Sequence, residues 1–176
     1  MCKYEFSKER FMAVEHNELK MQDYCVAQKW HVIPTTRLNE GKDCAPVFAS
    51  QKCEVTPDFL VMAGNGKVFF VEVKTAETSP FNRTYDCNVL GIKKTNYYDY
   101  LDVAKATGID VMLVFVLANK YILTGNILTL PEPYNCLCRG CRNGDECNAE
   151  GLVYWNVRDL WRNLVLENWY FNNGGK

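Results

Sequence analysis

The chain has 176 residues, of which 48% are hydrophobic and 13% aromatic, with 20 Lys and Arg against 21 Asp and Glu. This composition excludes a disordered chain, and a net charge of −1 argues against tight, non-specific nucleic-acid binding through a global basic surface. No apolar run approaches the roughly 18 residues that span a bilayer, and the N-terminus lacks an apolar signal core. We therefore expect one cytoplasmic domain over residues 1–176.

The first half of the chain has the pattern of one helix followed by three strands. Apolar residues at three- and four-residue spacing predict the helix, and Glu18 is the one charged member of its apolar stripe. Asn65-Gly66 between two apolar runs is a strong hairpin signal. The predicted elements are a helix over 7–29, a strand over 30–35, a polar loop over 37–53 and hairpin strands over 55–62 and 67–74.

The second half has the pattern of a mixed sheet with two further helices. Gly108 follows a helical pattern and is expected at its C-cap, and the apolar run after it predicts a strand covered on both faces. The predicted elements are an irregular connection over 75–90, a helix over about 91–107, strands over 109–117 and 121–123, an irregular Cys-rich loop over 131–150, a strand over 152–155 and a terminal helix that begins at 156 or 159.

Three ionisable residues stand out because they lie inside the apolar hairpin. Glu72 and Lys74 are two apart on one strand and so share a face, and Asp58 lies on the neighbouring strand. Burying such groups is costly unless they bind something. Two carboxylates, with the Val73 carbonyl as a further hard ligand, suit Mg²⁺ or Mn²⁺ that activates water against a phosphodiester. Lys74 would orient that water and stabilise charge on the phosphate.

Pro57-Asp58, a 13-residue spacer and Glu72-Val73-Lys74 resemble the signature of the PD-(D/E)XK nuclease superfamily. The order of predicted elements over residues 8–117 is also similar to that superfamily's core. The resemblance implies an α/β fold with a restriction-endonuclease-like α-β-β-β-α-β core and a mixed central sheet flanked by helices. It further implies that Asp58 and Glu72 ligate Mg²⁺ and that Lys74 is the catalytic lysine.

Two further site residues are implied by the same resemblance. Many members add a glutamate from the first helix, for which Glu18 is the first choice and Glu15 the second. Many recombination-type members also carry a Gln or Lys, and a Tyr four residues later, in the helix after the third strand. This pattern is matched loosely by Lys94 and Tyr98, or by Lys93 and Tyr97.

A second feature is a group of four cysteines within twelve residues, Cys136, Cys138, Cys141 and Cys147. Four thiols interleaved with glycines can wrap one tetrahedral ion, and four thiolates would leave it no open position. Structural Zn²⁺ is the first choice. An iron–sulfur cluster is the alternative, since some members of the superfamily carry one, although contiguous cysteines favour zinc. Unligated thiols or disulfides are a third reading.

The predicted function is a metal-dependent nuclease that hydrolyses nucleic acid, with DNA expected rather than RNA. We expect it to act as a homodimer or as a subunit of a larger complex, away from membranes. One alternative is a catalytically inactive nuclease-fold module that binds nucleic acid or protein through the Cys-rich metal loop. Another is a redox or metal-sensing protein centred on the cysteines. The simplest has Asp58 capping a turn, with Glu72 and Lys74 on a solvated face.

Overall fold

A computed structural model describes residues 8–35, 56–83, 85–118, 120–135 and 151–173, which form two sheets and three helices. The helices are α1 (Lys8–Ala27), α2 (Lys94–Thr107) and α3 (Leu164–Asn173). The strands are β1 (His31–Pro34), β2 (Phe59–Met62), β3 (Val68–Ala76), β4 (Phe81–Asn82), β5 (Cys87–Lys93), β6 (Asp110–Leu117), β7 (Tyr121–Asn126), β8 (Tyr134–Asn135), β9 (Leu152–Asn156) and β10 (Trp161–Arg162). The four predicted metal-binding cysteines fall outside the described residues.

The main sheet has the strand order β1-β2-β3-β6-β7-β10, in which β3 and β6 are parallel and the other pairs antiparallel. Alternate side chains of β6 enter two separate cores, because the strand is covered on both faces as its sequence predicts. Leu113 and Phe115 face α2 and the smaller sheet, whereas Val114 and Val116 face α1 and α3. The expectation of a mixed sheet flanked by helices is therefore confirmed.

In the hairpin of β2 and β3, β2 is shorter than β3. Asp58, Glu72 and Lys74 lie where the pairing of the two strands ends. The turn at Asn65-Gly66 is closed by a Gly66 N–H that donates to the Ala63 carbonyl at 2.9 Å. Pairing runs from Met62 opposite Val68 to Phe59 opposite Val71. Beyond Val71, β3 continues over residues 72–76 and pairs there with β6 on its other side. One edge of β3 is thus left without a β2 partner from residue 72 onwards.

The predictions for residues 75–93 were partly wrong. The structure continues β3 to Ala76 and then forms β4 and β5, where the sequence suggested an irregular connection. Gly91 belongs to β5 and α2 begins at Lys94, three residues later than expected. The reason is tertiary: β5 pairs with β9 so closely that a Cβ on Gly91 would lie 2.2 Å from the Val153 carbonyl oxygen.

The predicted start of the terminal helix was also wrong. Asn156 instead caps a short 3₁₀ turn, its Oδ1 accepting from the Arg158 N–H at 2.9 Å, and β10 follows. The helix begins at Leu164, where Asn163 Oδ1 accepts from the Leu166 N–H at 3.1 Å. Two nearby asparagines each offer a helix start, and the pairing of β10 with β7 separates them.

Several other local predictions are confirmed. α1 and β1 lie where the periodicity placed them, and the second strand of the 109–123 region pairs antiparallel with β6. Gly108 closes α2 in the left-handed conformation, at a φ of 67°, and its N–H donates to the Ala104 carbonyl. Among the described helices, none is long and apolar enough to cross a membrane.

Candidate active site

Asp58 is held in a bend between β1 and β2. The Thr35 N–H donates to the Asp58 carbonyl at 3.0 Å, and the buried Thr35 hydroxyl donates to the Pro57 carbonyl. The Asp58 side chain turns to β3, where its Oδ2 accepts from the Val73 N–H at 2.7 Å. A carboxylate thereby takes the position of the missing β2 partner, at the point where the edge of β3 becomes open.

The Val73 carbonyl lies on this same side of β3. In an extended strand the N–H and C=O of one residue point to the same neighbour. Because the Val73 N–H points to Asp58, its carbonyl points to the same open edge. Beyond Phe59, β2 contributes no main-chain partner to this edge within the described residues. The backbone thus offers an oxygen beside the Asp58 carboxylate.

Glu72 is almost fully buried, with 1% of its surface exposed. Its Oε1 forms an ion pair with the Lys74 ammonium, whose side chain is 34% exposed. Its other oxygen, Oε2, is buried and has no hydrogen-bond partner among the described residues. An unsatisfied buried polar atom costs about 1–3 kcal/mol, and more when it is charged. This burial contradicts the alternative in which Glu72 and Lys74 lie on a solvated face.

The electrostatics of the site follow from several ionisable groups that lie close together and are buried away from water. Burial, then the charge of Glu72, raises the pKa of Asp58 to about 8, although Lys74 and the Val73 N–H oppose the shift. Burial lowers the pKa of Lys74, but Glu72, Asp58 and Glu18 outweigh it and the net pKa is raised. Lys74 therefore stays an ammonium, and the ionised form of Asp58 is disfavoured in spite of this neighbouring cation.

Glu18 on α1 lies within electrostatic reach of this cluster. Burial, then the charge of Glu72, raises the pKa of Glu18, while Lys74 lowers it. The helix is anchored next to β3 by Asn17, whose Nδ2 donates to Thr75 Oγ1 at 2.7 Å. Glu15 is exposed and acts on Glu18 rather than on Asp58. The structure therefore brings together Glu18, Asp58, Glu72 and Lys74, with Glu18 nearer the cluster than the second choice Glu15.

Lys94 is the first residue of α2 and is exposed, and its role stays a prediction. The structure instead brings Tyr100 next to Glu72, and Asn96 bonds to Tyr100. Tyr100 is 1% exposed, and its hydroxyl accepts from Asn96 Nδ2 at 3.2 Å. Burial, then the charge of Glu72, raises the pKa of Tyr100. Only the Lys-Tyr pairs that begin at Lys93 and Lys94 were predicted from the sequence. The same four-residue spacing of an amide and a tyrosine at Asn96 and Tyr100 was the available signal.

The donor set fits a hard divalent cation, although it is not assembled as a cage. Among the described residues, no three His, Cys, Asp or Glu side chains already surround one point. Carboxylate and main-chain oxygens are what Mg²⁺ and Mn²⁺ prefer, and Glu72 has an unpartnered oxygen to offer. Lys74 contacts Glu72 on its other oxygen. A cation bound here would compete with that ion pair.

Comparisons with known proteins bear on the fold. No protein-family model matches the sequence, and no curated protein matches it. The structure is similar to Hjc, a Holliday junction resolvase from the archaeal hyperthermophile Archaeoglobus fulgidus, with a TM-score of 0.51 and 11% identity over 89% of this chain and 96% of that one. It also matches D212, a nuclease from a fusselovirus, with a TM-score of 0.46 and 9% identity over 99% of this chain and 96% of that one.

The likeness to Hjc extends over 89% of this chain. At 11% identity the likeness speaks for the fold alone. That fold is the one implied by Pro57-Asp58 and Glu72-Val73-Lys74, and the structure adds the mixed sheet and flanking helices. The predicted fold is confirmed at this level: the chain has a mixed sheet flanked by helices, in a fold similar to that of Hjc.

Proposed function

We propose that this protein is a metal-dependent nuclease that hydrolyses phosphodiester bonds of DNA at the open edge of β3. The observation that carries the proposal is the unpartnered, buried Oε2 of Glu72, which lies in one cluster with Asp58, Lys74 and Glu18. A structural carboxylate at that depth would have both oxygens satisfied. One left without a partner beside other acids is suited to binding a cation.

Asp58, Glu72 and the Val73 carbonyl would hold Mg²⁺ or Mn²⁺, with Glu18 acting through water. When bound, the ion would supply Lewis-acid activation of water and of the scissile phosphate. The raised pKa of Lys74 keeps its side chain cationic, so that it can orient the nucleophile and stabilise negative charge that develops on the phosphate. Cleavage in this manner leaves a 5′-phosphate, as the resemblance implies.

The fold itself supports the choice of a nucleic-acid substrate. The similar structure of Hjc is described as a Holliday junction resolvase, and a Holliday junction is a DNA substrate. Cutting two strands would call for two active sites, so a homodimer or a subunit of a larger complex is part of the proposal. Structural Zn²⁺, or alternatively an iron–sulfur cluster, on Cys136, Cys138, Cys141 and Cys147 also remains a proposal.

The test is a panel of labelled linear, circular, branched, single-stranded and RNA substrates, each incubated with Mg²⁺ or Mn²⁺. We expect metal-dependent cleavage of at least one DNA substrate. Lys74→Ala and Asp58→Ala should each lower the rate by about 10²–10⁴-fold, the range typical of a lost acid–base or charge-stabilising group.

The matched control is Lys67→Ala, an exposed lysine at the other end of β3, which should cut at the wild-type rate. Circular dichroism should show that all three variants are folded. If Lys74→Ala and Asp58→Ala both cut as fast as the wild type, the site is assigned wrongly. If the wild type yields no product with any substrate and metal, the inactive-module alternative replaces the proposal.

A further inference from the structure

The smaller sheet, of order β4-β5-β9-β8, has an outer face that the proposed chemistry does not use. Its inner face is set by Leu90 and Trp155, which enter the core against α2. Because side chains alternate along a strand, Gly91 and Tyr154 point to the opposite face. Gly91 pairs with Tyr154, and Tyr154 pairs with Tyr134 on β8. The outer face therefore carries two tyrosines side by side.

A third tyrosine completes this arrangement. Tyr85 stacks on Tyr134 with ring centroids 4.0 Å apart and planes 14° from parallel. Tyr154 lies against Gly91, where an added Cβ would be 2.6 Å from the Tyr154 Cδ1. Each of the three tyrosines is half-buried. We call Tyr85, Tyr134 and Tyr154, with the flat backbone at Gly91, the tyrosine face.

Cations lie next to the tyrosine face along the chain. Arg83 is exposed and precedes Tyr85 by two residues, and Lys93 is exposed at the end of β5, on the same side of the strand as Gly91. One acid, Asp86, is also exposed beside Tyr85. Aromatic rings combined with neighbouring cations are how proteins bind single-stranded nucleic acid, since every base offers a π-face for stacking.

The tyrosine face is close to the candidate active site. Gly91 and Asn96 are five residues apart, so that their Cα atoms are separated by at most about 18 Å even if the chain is fully extended. Asn96 bonds to Tyr100, which lies next to Glu72. The tyrosine face and Glu72 are thus a few nucleotide lengths apart, on opposite faces of the smaller sheet, so a DNA strand that reaches both has to pass round the edge of this sheet.

We propose that the tyrosine face binds unpaired bases of single-stranded DNA next to the active site. Binding of the strand does not depend on the proposed nuclease function; only cleavage of the bound strand rests on it. It narrows the substrate class to DNA that presents a single-stranded segment, such as a flap, a branch or a free strand, close to the bond that is cut.

The test measures binding of a fluorescent 20-mer oligothymidylate by anisotropy, in buffer without added divalent metal so that no strand is cut. Tyr134→Ala and Tyr154→Ala should each weaken binding by roughly 5- to 100-fold, the effect typical of losing one base-stacking ring. Tyr134→Phe and Tyr154→Phe should bind like the wild type, because stacking needs the ring and not the hydroxyl. Tyr121→Ala, an exposed tyrosine on β7 of the main sheet, is the matched control.

Two further probes identify what is bound. A 20-mer of abasic sites should bind the wild type at least as weakly as oligothymidylate binds Tyr134→Ala, since it offers phosphates but no bases for any of the tyrosines. The tyrosine variants should bind a blunt duplex with the same affinity as the wild type. The proposal is overturned if folded Tyr134→Ala and Tyr154→Ala bind oligothymidylate normally, or if the wild type does not bind it. It is also overturned if oligouridylate binds more tightly, or if the variants only turn a dimer into a monomer.

Failure of this proposal and failure of the nuclease proposal give different results. Without nuclease activity, the binding differences between the alanine and phenylalanine variants would persist while every substrate stayed intact. Without a tyrosine face, cleavage would persist and would depend on Asp58 and Lys74, but not on Tyr134 or Tyr154.

Discussion

Two buried glutamates in this protein have opposite surroundings. Glu167 on α3 is 7% exposed and both of its oxygens are bound: Arg162 Nη2 donates to Oε1 at 2.6 Å, and the Ile122 N–H donates to Oε2 at 3.0 Å. Glu72 is 1% exposed, pairs with Lys74 through one oxygen and leaves the other without a partner. The first carboxylate joins β10, β7 and α3; the second is available to a ligand.

The pKa shifts describe the same contrast. The hydrogen bond from Arg162 holds the pKa of Glu167 below its usual value, so this acid is ionised and satisfied. At the candidate site, burial and the charge of Glu72 raise the pKa of Asp58 to about 8. Folding has thus stabilised the ionised form of Glu167 and destabilised the ionised form of Asp58. A cation bound beside Asp58 would stabilise its ionised form.

The largest effect should come from Glu72→Gln. Removing the negative charge while keeping the shape should lower metal-dependent cleavage by about 10³-fold or more, if Glu72 is a ligand of the ion. The midpoint of thermal unfolding without metal should change little, because loss of the ion pair with Lys74 is offset by loss of an unsatisfied buried charge and of its repulsion of Asp58. Both quantities are measured on the same preparation. A variant that still cuts, or that melts far below the wild type, would place Glu72 in the structural class.

Glu167→Ala should lower the stability of the protein and leave its cleavage activity unchanged. The buried Ile122 N–H would lose its acceptor, at a cost of about 1–3 kcal/mol in the free energy of unfolding. Denaturant unfolding followed by circular dichroism measures this loss. Cleavage per folded molecule should stay within about twofold of the wild-type rate, since Glu167 lies on the far side of the main sheet from β2. A loss of activity as large as that of Glu72→Gln would contradict the contrast between a structural Glu167 and a metal-binding Glu72.

A third effect concerns the dependence of stability on pH. The folded pKa of Asp58, about 8, lies above the ordinary value of 3.8, so that between these values the native state binds more protons than the unfolded state. Stability without metal should therefore fall as pH rises from about 4 to about 8, by at most about 1.4 kcal/mol per pH unit from this group. Denaturation midpoints across this range should show the slope.

Asp58→Asn should flatten that dependence, because asparagine does not titrate. Saturating Mg²⁺ should flatten it in the wild type as well, since the ion favours the ionised carboxylate and stabilises the folded state by mass action. Glu167→Ala should keep the wild-type slope. An unchanged slope in Asp58→Asn would assign the pH dependence to other groups.

The parts of the fold that were predictable from the sequence are those set by local chemistry. Asn65-Gly66 fixed the hairpin register, and that register in turn placed Asp58 against the strand of Glu72 and Lys74. The stripe of α1 and the Gly108 cap are equally local. These signals were enough to predict which ionisable groups meet, although their roles in catalysis remain predictions.

The parts that were missed depend on distant partners. β5 is a strand because it pairs with β9, about sixty residues later in the chain. The sequence of residues 87–93 alone does not indicate that pairing. Lys94 was chosen because the resemblance implies a Gln or Lys followed by a Tyr four residues later. Which side of α2 meets Glu72 depends on how this helix packs against the sheets, and that packing brings Tyr100, bonded to Asn96, to Glu72.

The early end of β2 also has a consequence for self-association. An open strand edge with bare amides is a template on which another chain can add a strand, and proteins usually guard such edges with charge or a bend. Here the Val73 amide is capped by Asp58, and Lys74 adds a charge beside it. The acid proposed to hold the metal therefore also protects this edge against the addition of a strand from another chain.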